Sequence, residues 1–205
     1  PPSIPPPSIP PPSIPPPSIP PPSIPPPSIP PPSIPLPSLP PLYTHVQNKY
    51  VFKSGWTWFS VPYYTPSSIK ELFSDVPYGS KLFSQTQSST KYSGYGWYGS
   101  INELEINKGY KFYTSSETTV YINMSYIENE NYTPRTFYPG WSWFGVSQNI
   151  NVADYFTSVS ENTRVVSQTG YSKYYNTSYF KGWYPNILLQ STYAYKLNTF
   201  NILDI

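Results

Sequence analysis

Cysteine is absent from this sequence and charged residues are scarce, and each shortage excludes a class of protein. Without cysteine, neither a disulfide framework nor a Cys-ligated zinc site can form. Only 11% of the 205 residues are charged, the net charge is +2, and the 12 Lys and Arg are scattered singly. A nucleic-acid-binding stripe is therefore not expected. No run of 18 apolar residues occurs, so no membrane-spanning segment is expected.

Proline is concentrated at one end of the chain, where 24 of the 30 prolines lie within the first 41 residues. The unit PPSIP occurs seven times without change from Pro1 to Pro35, and a looser copy, LPSLP, ends at Pro40. Proline fixes φ at about −65° and restricts the residue before it, which predicts a polyproline II rod over residues 1–42, about 130 Å long when extended. Since the chain begins inside the repeat, we expect further copies upstream of Pro1.

The period of the repeat distributes its side chains around the rod. A polyproline II helix has about three residues per turn, so a five-residue unit places successive Ser and Ile on different faces. Isoleucine on a rod without an interior needs a cover, which either another protein chain or a coat of glycans would supply. A plain stalk with harmless single isoleucines is the alternative.

Contiguous prolines beside serine, as in IPPPS at Ile4–Ser8, resemble the hydroxyproline-rich, extensin-like glycoproteins of plant and algal cell walls. The resemblance covers residues 1–41 and departs from the usual SPPPP unit by its isoleucine and its period of five. It implies hydroxylated, O-glycosylated prolines and O-glycosylated serines. The serines are Ser3, Ser8, Ser13, Ser18, Ser23, Ser28, Ser33 and Ser38. The prolines are Pro5, Pro6, Pro7, Pro10, Pro11, Pro12, Pro15, Pro16, Pro17, Pro20, Pro21, Pro22, Pro25, Pro26, Pro27, Pro30, Pro31 and Pro32.

The remaining residues are rich in Tyr, Phe and Trp and dense in Ser, Thr, Asn and Gly, a composition typical of strands broken by turns. Five motifs recur in the same order: GWTWFSV and GWSWFGV, SQT and SQT, TKY and SKY, GWYGSI and GWYPNI, GYKF and AYKL. Such a series predicts a duplicated unit. We therefore predict a mainly β protein of three parts: the rod at 1–42, a first β-rich unit at 43–127 and a second, homologous unit at 128–205.

Each unit is predicted to contain one short amphipathic helix of about two turns. In the first unit, Ser68 and Glu71 have the spacing of a capping box, and apolar residues follow at helical spacing over 69–76. In the second unit, Asn151 and Asp154 form the corresponding cap pair before the same apolar spacing.

The duplicated unit also resembles the W-x-W-[FI]-S … SQT … Y … GYGW-x-GS … LEPGKGY repeats of large surface and secreted proteins from bacteria and some microbial eukaryotes. The matching residues are Trp56–Ser60, Ser84–Thr86, Tyr92, Gly94–Trp97, Gly99–Ser100, Leu104, Glu105 and Lys108–Tyr110. The second half keeps the Trp and Tyr positions but loses the Leu-Glu step. The resemblance implies a β-rich surface module and its location, without an activity.

The tryptophans have two interpretations. Trp56 and Trp58 share one face of a strand whose other face carries Phe59 and Val61, so we expect a central strand. Packing in the core is the favoured role of the tryptophans, and stacking on sugar rings is the alternative. The tyrosines left open for contact with glycan or a neighbouring subunit are Tyr92, Tyr95, Tyr98, Tyr174 and Tyr175.

Three N-x-[ST] sequons are candidate N-glycosylation sites of a secreted eukaryotic protein: Asn123, Asn131 and Asn176. The first two are expected in an exposed linker between the halves.

Residues that usually carry catalysis are few. The single histidine, His45, lies at the junction between the rod and the β region and is interpreted as a surface residue. The pairs Glu103–Glu105 and Glu128–Glu130 have glycosidase-like residue types, but neither recurs in the other half, which favours solvated charge. Nucleophile-elbow, phosphate-loop and HExxH motifs are missing. We expect no enzyme, no metal site and no cofactor.

These features predict a structural, heavily O-glycosylated protein of an extracellular fibre or wall, with the β region as a subunit or cap. Its expected partners are covalent glycans and further copies of itself, and neither nucleic acid nor a membrane span is expected. The alternative is a surface adhesin or carbohydrate-binding module on a rigid stalk, and a polysaccharide-acting enzyme ranks third.

Overall fold

A computed structural model describes residues 43–127 and 135–205. The predicted rod with its serine and proline sites, together with Asn131, Glu128 and Glu130, lies outside the described residues. The described part is mainly β, as predicted, with sixteen strands and two short helices. The strands are β1 (Tyr43–Phe52), β2 (Gly55–Phe59), β3 (Lys81–Phe83), β4 (Ser88–Tyr92), β5 (Gly96–Gly99), β6 (Tyr110–Thr114), β7 (Thr118–Ile127), β8 (Thr136–Phe137), β9 (Gly140–Phe144), β10 (Ile150–Asn151), β11 (Arg164–Val166), β12 (Tyr171–Asn176), β13 (Lys181–Tyr184), β14 (Leu188–Leu189), β15 (Tyr195–Thr199) and β16 (Leu203–Asp204). The helices are α1 (Ile69–Leu72) and α2 (Val152–Tyr155).

Two five-stranded antiparallel sheets form the frame of the described part. The first has the strand order β2-β6-β3-β4-β5, and the second has the order β9-β15-β11-β12-β13. In both, the strand that comes first in the chain lies at one edge beside the strand that comes last, and the other three follow as a meander. Because β2 is an edge strand, the prediction of a central strand at Trp56 and Trp58 is wrong.

Three two-stranded antiparallel pairs accompany the sheets: β1 with β7, β8 with β16, and β10 with β14. The longest joins β1 to β7 from Tyr43 opposite Ile127 to Phe52 opposite Thr118. Along β7 the side chains alternate between buried and exposed as far as Met124, which places this strand pair over the first sheet with one face in the core.

Each sheet has its own cluster of buried side chains. The first contains Tyr50, Phe52, Phe59, Val61, Ile69, Phe73, Val76, Leu82, Trp97, Ile101, Leu104, Tyr110, Phe112, Val120, Ile122 and Met124. The second contains Phe137, Phe144, Val146, Val152, Phe156, Val165, Trp183, Leu189, Tyr195, Leu197 and Leu203. Each fully buried aromatic or aliphatic side chain contributes about 1.5–3 kcal/mol of transfer free energy, so these two clusters supply most of the driving force for folding.

The burial pattern of the strand beside the edge strand shows which face of each sheet lies against the core and which is the outer face. In β6, Tyr110, Phe112 and Thr114 are buried while the residues between them are half-buried. The burial of β15 alternates in the same way. Period-two alternation therefore turns Lys111 and Lys196 to the outer faces of their sheets.

The two helices are shorter than predicted, with four residues each instead of two turns. The capping box is confirmed, since the Glu71 N–H donates to Ser68 Oγ and the Ser68 N–H donates to the Glu71 carboxylate. Asn151 occupies the N-cap of α2 but accepts no backbone N–H, and its Nδ2 donates to Asp154 Oδ2 at 3.1 Å instead. The first turn of α2 is bonded from outside the helix, where the Ala153 N–H donates to Asn186 Oδ1 at 3.3 Å, and both helices end after a single turn.

Candidate functional site

Tryptophan positions divide into core and surface. Trp97 and Trp183 are each 5% exposed, and their Nε1–H groups donate to the carbonyls of Phe73 and Phe156 at 3.1 Å. The predicted core packing is right for these two. It is wrong for Trp56 and Trp141, which are 44% and 47% exposed, because they lie on the outer faces of edge strands.

The edge strands β2 and β9 are held by glutamines from the opposite sheet. Gln168 accepts the Trp58 N–H at 2.8 Å and donates to the Trp56 carbonyl at 2.7 Å. Gln85 accepts the Trp143 N–H at 2.9 Å and donates to the Trp141 carbonyl at 2.7 Å. The two SQT glutamines therefore satisfy the free backbone groups of exposed strand edges reciprocally, which blocks further strand pairing there.

Backbone hydrogen bonds complete this reciprocal contact. The Ser60 N–H donates to the Thr192 carbonyl at 3.1 Å, and the Gly145 N–H donates to the Asn107 carbonyl at 2.7 Å. Arg135 adds bonds to the carbonyls of Asn107 at 2.6 Å and Trp143 at 3.2 Å. The residues just after each W-x-W-F motif thus bind the loop that precedes the last strand of the other sheet.

Two lysines, which we call the lysine pair, lie at the centre of the contact between the sheets. Lys111 is the cross-strand partner of Trp58, and Lys196 is the cross-strand partner of Trp143. Lys111 Nζ lies 4.7 Å from the Trp58 ring centre and 4.8 Å from the Trp143 ring centre. The corresponding distances for Lys196 are 4.9 and 4.8 Å. Each ammonium therefore makes cation–π contacts with an indole from both sheets.

The charge of the lysine pair is not balanced by a neighbouring carboxylate. In residues 43–127 and 135–205 the ion pairs are Lys53–Glu117 and Lys108–Glu105, and neither lysine of the pair takes part. Burial and the adjacent positive charge of Lys196 lower the pKa of Lys111. An anion placed against both ammonium groups would relieve this repulsion.

Cations and aromatic rings line the whole outer face of the second sheet. Register and alternation place these residues on it: Trp141, Trp143, Arg164, Val166, Tyr171, Lys173, Tyr175, Gly182, Tyr184, Lys196 and Asn198. None of these residues is acidic. The corresponding face of the first sheet carries Lys81 and Lys111 with Trp56, Trp58, Phe83 and Tyr113 and is also without a carboxylate.

A groove of about 400 Å³ opens on the second outer face beside Trp141 and is lined further by Arg164, Val166, Ser167, Gly170 and Tyr171. The equivalent place on the first sheet is filled, because Phe83 and Tyr113 pack on Trp56 with ring centres 5.5 and 5.3 Å away. Val166 and Asn198 occupy the corresponding strand positions in the second sheet. Their smaller side chains leave the groove open beside Trp141, although the two indoles are similarly exposed, Trp56 at 44% and Trp141 at 47%.

Residues predicted from the sequence as sites are spread over the surface. His45 is exposed on β1, and Glu103 and Glu105 are exposed in a loop, where Glu105 pairs with Lys108. Asn123 is exposed but belongs to β7, where Gln47 donates to its Oδ1 at 2.8 Å, so its prediction as a linker residue is wrong. Asn176 is exposed at the end of β12.

The predicted tyrosine surface is found in part. Tyr92, Tyr95 and Tyr98 are 50%, 89% and 77% exposed, whereas Tyr174 and Tyr175 are half-buried.

Sequence reasoning missed the glutamines, the lysine pair and Arg164. The signal for four of them was present, because Gln85 and Gln168 belong to the recurring SQT motif and the lysines to GYKF and AYKL. Arg164 lies outside every recurring motif, and only the strand register reveals it.

Within the described ranges, no cluster of three His, Asp or Glu is arranged to hold a metal ion. The helices of that same part are too short to cross a membrane. Comparison with family models, with curated proteins and with solved structures finds no match to this chain.

Proposed function

We propose that this chain is a structural, heavily O-glycosylated protein of an extracellular fibre or wall. The observation that carries the proposal is the unbroken series of seven PPSIP units beside a compact β region. Repeated proline stiffens a chain without a core, and glycans on Ser and Pro would exclude collapsed conformers and cover the isoleucines. Residues 1–42 act as the rod, and the β region acts as a subunit or cap.

The β region is a pair of homologous units in this proposal. Several equivalent interactions support it besides the shared strand order. Trp97 and Trp183 donate to equivalent carbonyls, and the hydroxyls of Tyr110 and Tyr195 accept the N–H of the residue five positions earlier, at 2.8 and 2.7 Å. The reciprocal glutamine contacts make the two units a closed pair, so the pair is the subunit of the assembly.

Self-association into fibres is the part of the proposal that concerns partners. Many aromatic side chains are left in solvent at the ends of hairpins, among them Tyr95 at 89% and Tyr179 at 99% exposure. Exposed aromatic surface of this kind favours contact with another protein surface. The copies of this chain are the partners that a head-to-tail fibre would use.

Intact-mass and glycopeptide mass spectrometry of native material tests the glycoprotein rod. We expect hydroxylated prolines and attached sugars within residues 1–42, and masses of unmodified Pro and Ser there would overturn this part. Electron microscopy of the same material tests the assembly. Fibres are expected, and isolated particles alone would count against a fibre subunit.

The second candidate function is a carbohydrate-binding surface module. The specific observation that favours it is the exposure of Trp56 and Trp141 on faces that carry cations and no carboxylate. A glycan array separates the two functions, since one specific sugar bound with micromolar affinity or better favours the module.

A further inference from the structure

The lysine pair is a concentration of positive charge that forms no ion pair with any carboxylate in the part of the chain that the structure describes. Both ammonium groups contact the same two indoles, Trp58 and Trp143, at 4.7–4.9 Å. Those contacts orient the ammonium groups, but an indole accepts no conventional hydrogen bond from them. The amide groups of Gln85 and Gln168, which lie on the same contact, are already bonded to backbone.

Among residues 43–127 and 135–205, the two outer faces around the pair carry further positive charge and no carboxylate. Arg164 and Lys173 lie on the same outer face as Lys196, and Lys81 lies on the same outer face as Lys111. Five cations therefore share two faces without an acidic residue, although the whole chain has 10 acidic residues against 12 basic ones. Such segregation of charge favours an anionic ligand.

Aromatic rings beside these cations add a second kind of contact. Trp141 and Tyr171 line the groove together with Arg164. The hydroxyl of Ser167, which also lines the groove, donates to the Gly170 carbonyl and accepts the Gly170 N–H. Trp56 offers an exposed ring at the equivalent edge of the first sheet. A flat indole presents a face of negative potential on which the polarised C–H bonds of a sugar ring can stack.

We propose that the lysine pair binds the sulfate or carboxylate groups of an acidic polysaccharide, whose neighbouring sugar ring stacks on Trp141 in the groove beside Arg164. The shared chemistry is an oxyanion attached to a pyranose. A single-stranded nucleic acid also combines anions with rings, but the net charge of +2 and the pI of about 8.6 lie below the values typical of nucleic-acid-binding domains.

The proposal concerns the described β region and does not depend on glycans attached to the rod. It would hold for a chain whose prolines and serines are unmodified, and a fibre could form without it. Its failure is therefore distinguishable from failure of the proposed structural function.

The test is calorimetric titration of the full chain, expressed without glycans, with four probes: a sulfated galactan oligosaccharide, an oligogalacturonate, a neutral maltoheptaose and a single-stranded oligodeoxynucleotide. We expect at least one acidic saccharide to bind with an affinity that falls as salt is added, and the neutral saccharide to bind at least tenfold more weakly. The galactan arm and the galacturonate arm distinguish sulfate from carboxylate. Binding of neither, or equal or tighter binding of the oligonucleotide, would overturn the proposal.

Variants locate the site. The double variant Lys111→Met/Lys196→Met keeps the aliphatic stems over the indoles and should weaken the binding of acidic saccharide at least tenfold. Trp141→Ala should weaken it several-fold, whereas Lys70→Met, which removes one exposed charge from α1, should leave it within twofold. Unchanged affinity of the double variant would exclude the lysine pair as the site that binds the acidic groups.

Two further measurements test the site even if the double variant misfolds. Lys111→Arg/Lys196→Arg retains both charges and should keep binding within about fivefold. In the unaltered chain, NMR titration of the lysine ε-methylene signals should show the depressed Lys111 pKa rising when saccharide is bound. An unmoved Lys111 signal at saturating saccharide would place the ligand elsewhere.

Discussion

Ser60 and Gly145 occupy equivalent positions of the two W-x-W-F motifs and face each other where the two sheets meet. A side-chain carbon added to Gly145 would fall inside van der Waals contact of both the Cβ and the Oγ of Ser60. The contact has room for one side chain, although the two motifs together supply two positions there. The difference between WFS and WFG is therefore a packing requirement.

The first prediction follows from this contact. Gly145→Ser should lower the free energy of unfolding by about 1–3 kcal/mol, because the added side chain overpacks the centre of the contact. Ser60→Gly/Gly145→Ser, which exchanges the two residues, should recover most of that loss. Urea unfolding followed by tryptophan fluorescence measures both values.

The matched control is Ser60→Ala. Ser60 Oγ has no hydrogen-bond partner among the described residues, so its removal alone should change stability by less than about 1 kcal/mol. Ser60→Ala should also fail to rescue Gly145→Ser, since the alanine Cβ still occupies the space. A stable Gly145→Ser single variant would disprove the packing argument.

The second prediction concerns the glutamine contacts. Gln168→Ala removes two hydrogen bonds from the edge strand β2 and should destabilise the protein by about 1–2 kcal/mol. Hydrogen exchange gives the sharper readout, because the Trp58 amide, 110 residues away in sequence, should exchange faster while the Trp143 amide, held by Gln85, keeps its protection. Gln85→Ala should produce the opposite pattern.

Gln47→Ala serves as the control for these variants. It removes an exposed side-chain hydrogen bond to Asn123 on the β1–β7 pair and touches neither edge strand. It should leave the exchange of both tryptophan amides unchanged. If either glutamine variant alone accelerates hydrogen exchange equally at the Trp58 and Trp143 amides, the contact between the sheets opens as one unit.

Much of this architecture was predictable from the sequence because alternation and recurring motifs encode it locally. The mainly β class, the capping box at Ser68 and the core roles of Trp97 and Trp183 follow from such patterns. The helix lengths did not follow, because the apolar spacing over 69–76 continues past Leu72 while the helix ends there.

The errors at Trp56 and Trp141 have a different origin. Alternation shows that two residues share a face, but it does not show whether a strand is central or at an edge, which depends on pairing across the chain. The motif TKY was matched to SKY, yet the register places Ser89 and Ser172, not Thr90 and Ser172, at equivalent positions. The shift puts the half-buried Tyr174 in the place of the buried Lys91.

Lys91 supplies the third prediction. Its side chain is almost fully buried, and its ammonium donates to the carbonyls of Phe73 at 3.4 Å, of Val76 at 2.7 Å and of Ser74, all just after α1. Lys91→Met preserves the stem but removes three hydrogen bonds and leaves the carbonyls of Ser74 and Val76 without this donor, while the Phe73 carbonyl still accepts the Trp97 Nε1–H. A loss of about 2–4 kcal/mol is therefore expected. Thermal unfolding checks it, with Lys81→Met at an exposed position of β3 as the control, where a change below about 0.5 kcal/mol is expected.

The fourth prediction is a loss of stability in alkali. Burial raises the pKa of Tyr50 and of Tyr110 well above the ordinary 10.0. Above pH 10 the unfolded chain releases these protons and the folded chain retains them, so the folded state binds more protons and stability falls as pH rises. Below pH 10 both states are protonated, and the two tyrosines leave stability independent of pH. Urea midpoints measured from pH 8 to pH 11.5 should therefore be flat at first and then decline.

Tyr110→Phe separates this cause from general alkaline repulsion. The variant loses the hydroxyl that accepts the Glu105 N–H at 2.8 Å, which should cost about 1 kcal/mol at pH 8. It should also show a shallower decline above pH 10, since one buried phenol no longer resists ionisation in the folded state. Tyr95→Phe, at an 89% exposed position, should reproduce the slope of the unaltered chain. Identical slopes for both variants would assign the alkaline loss to groups other than Tyr110.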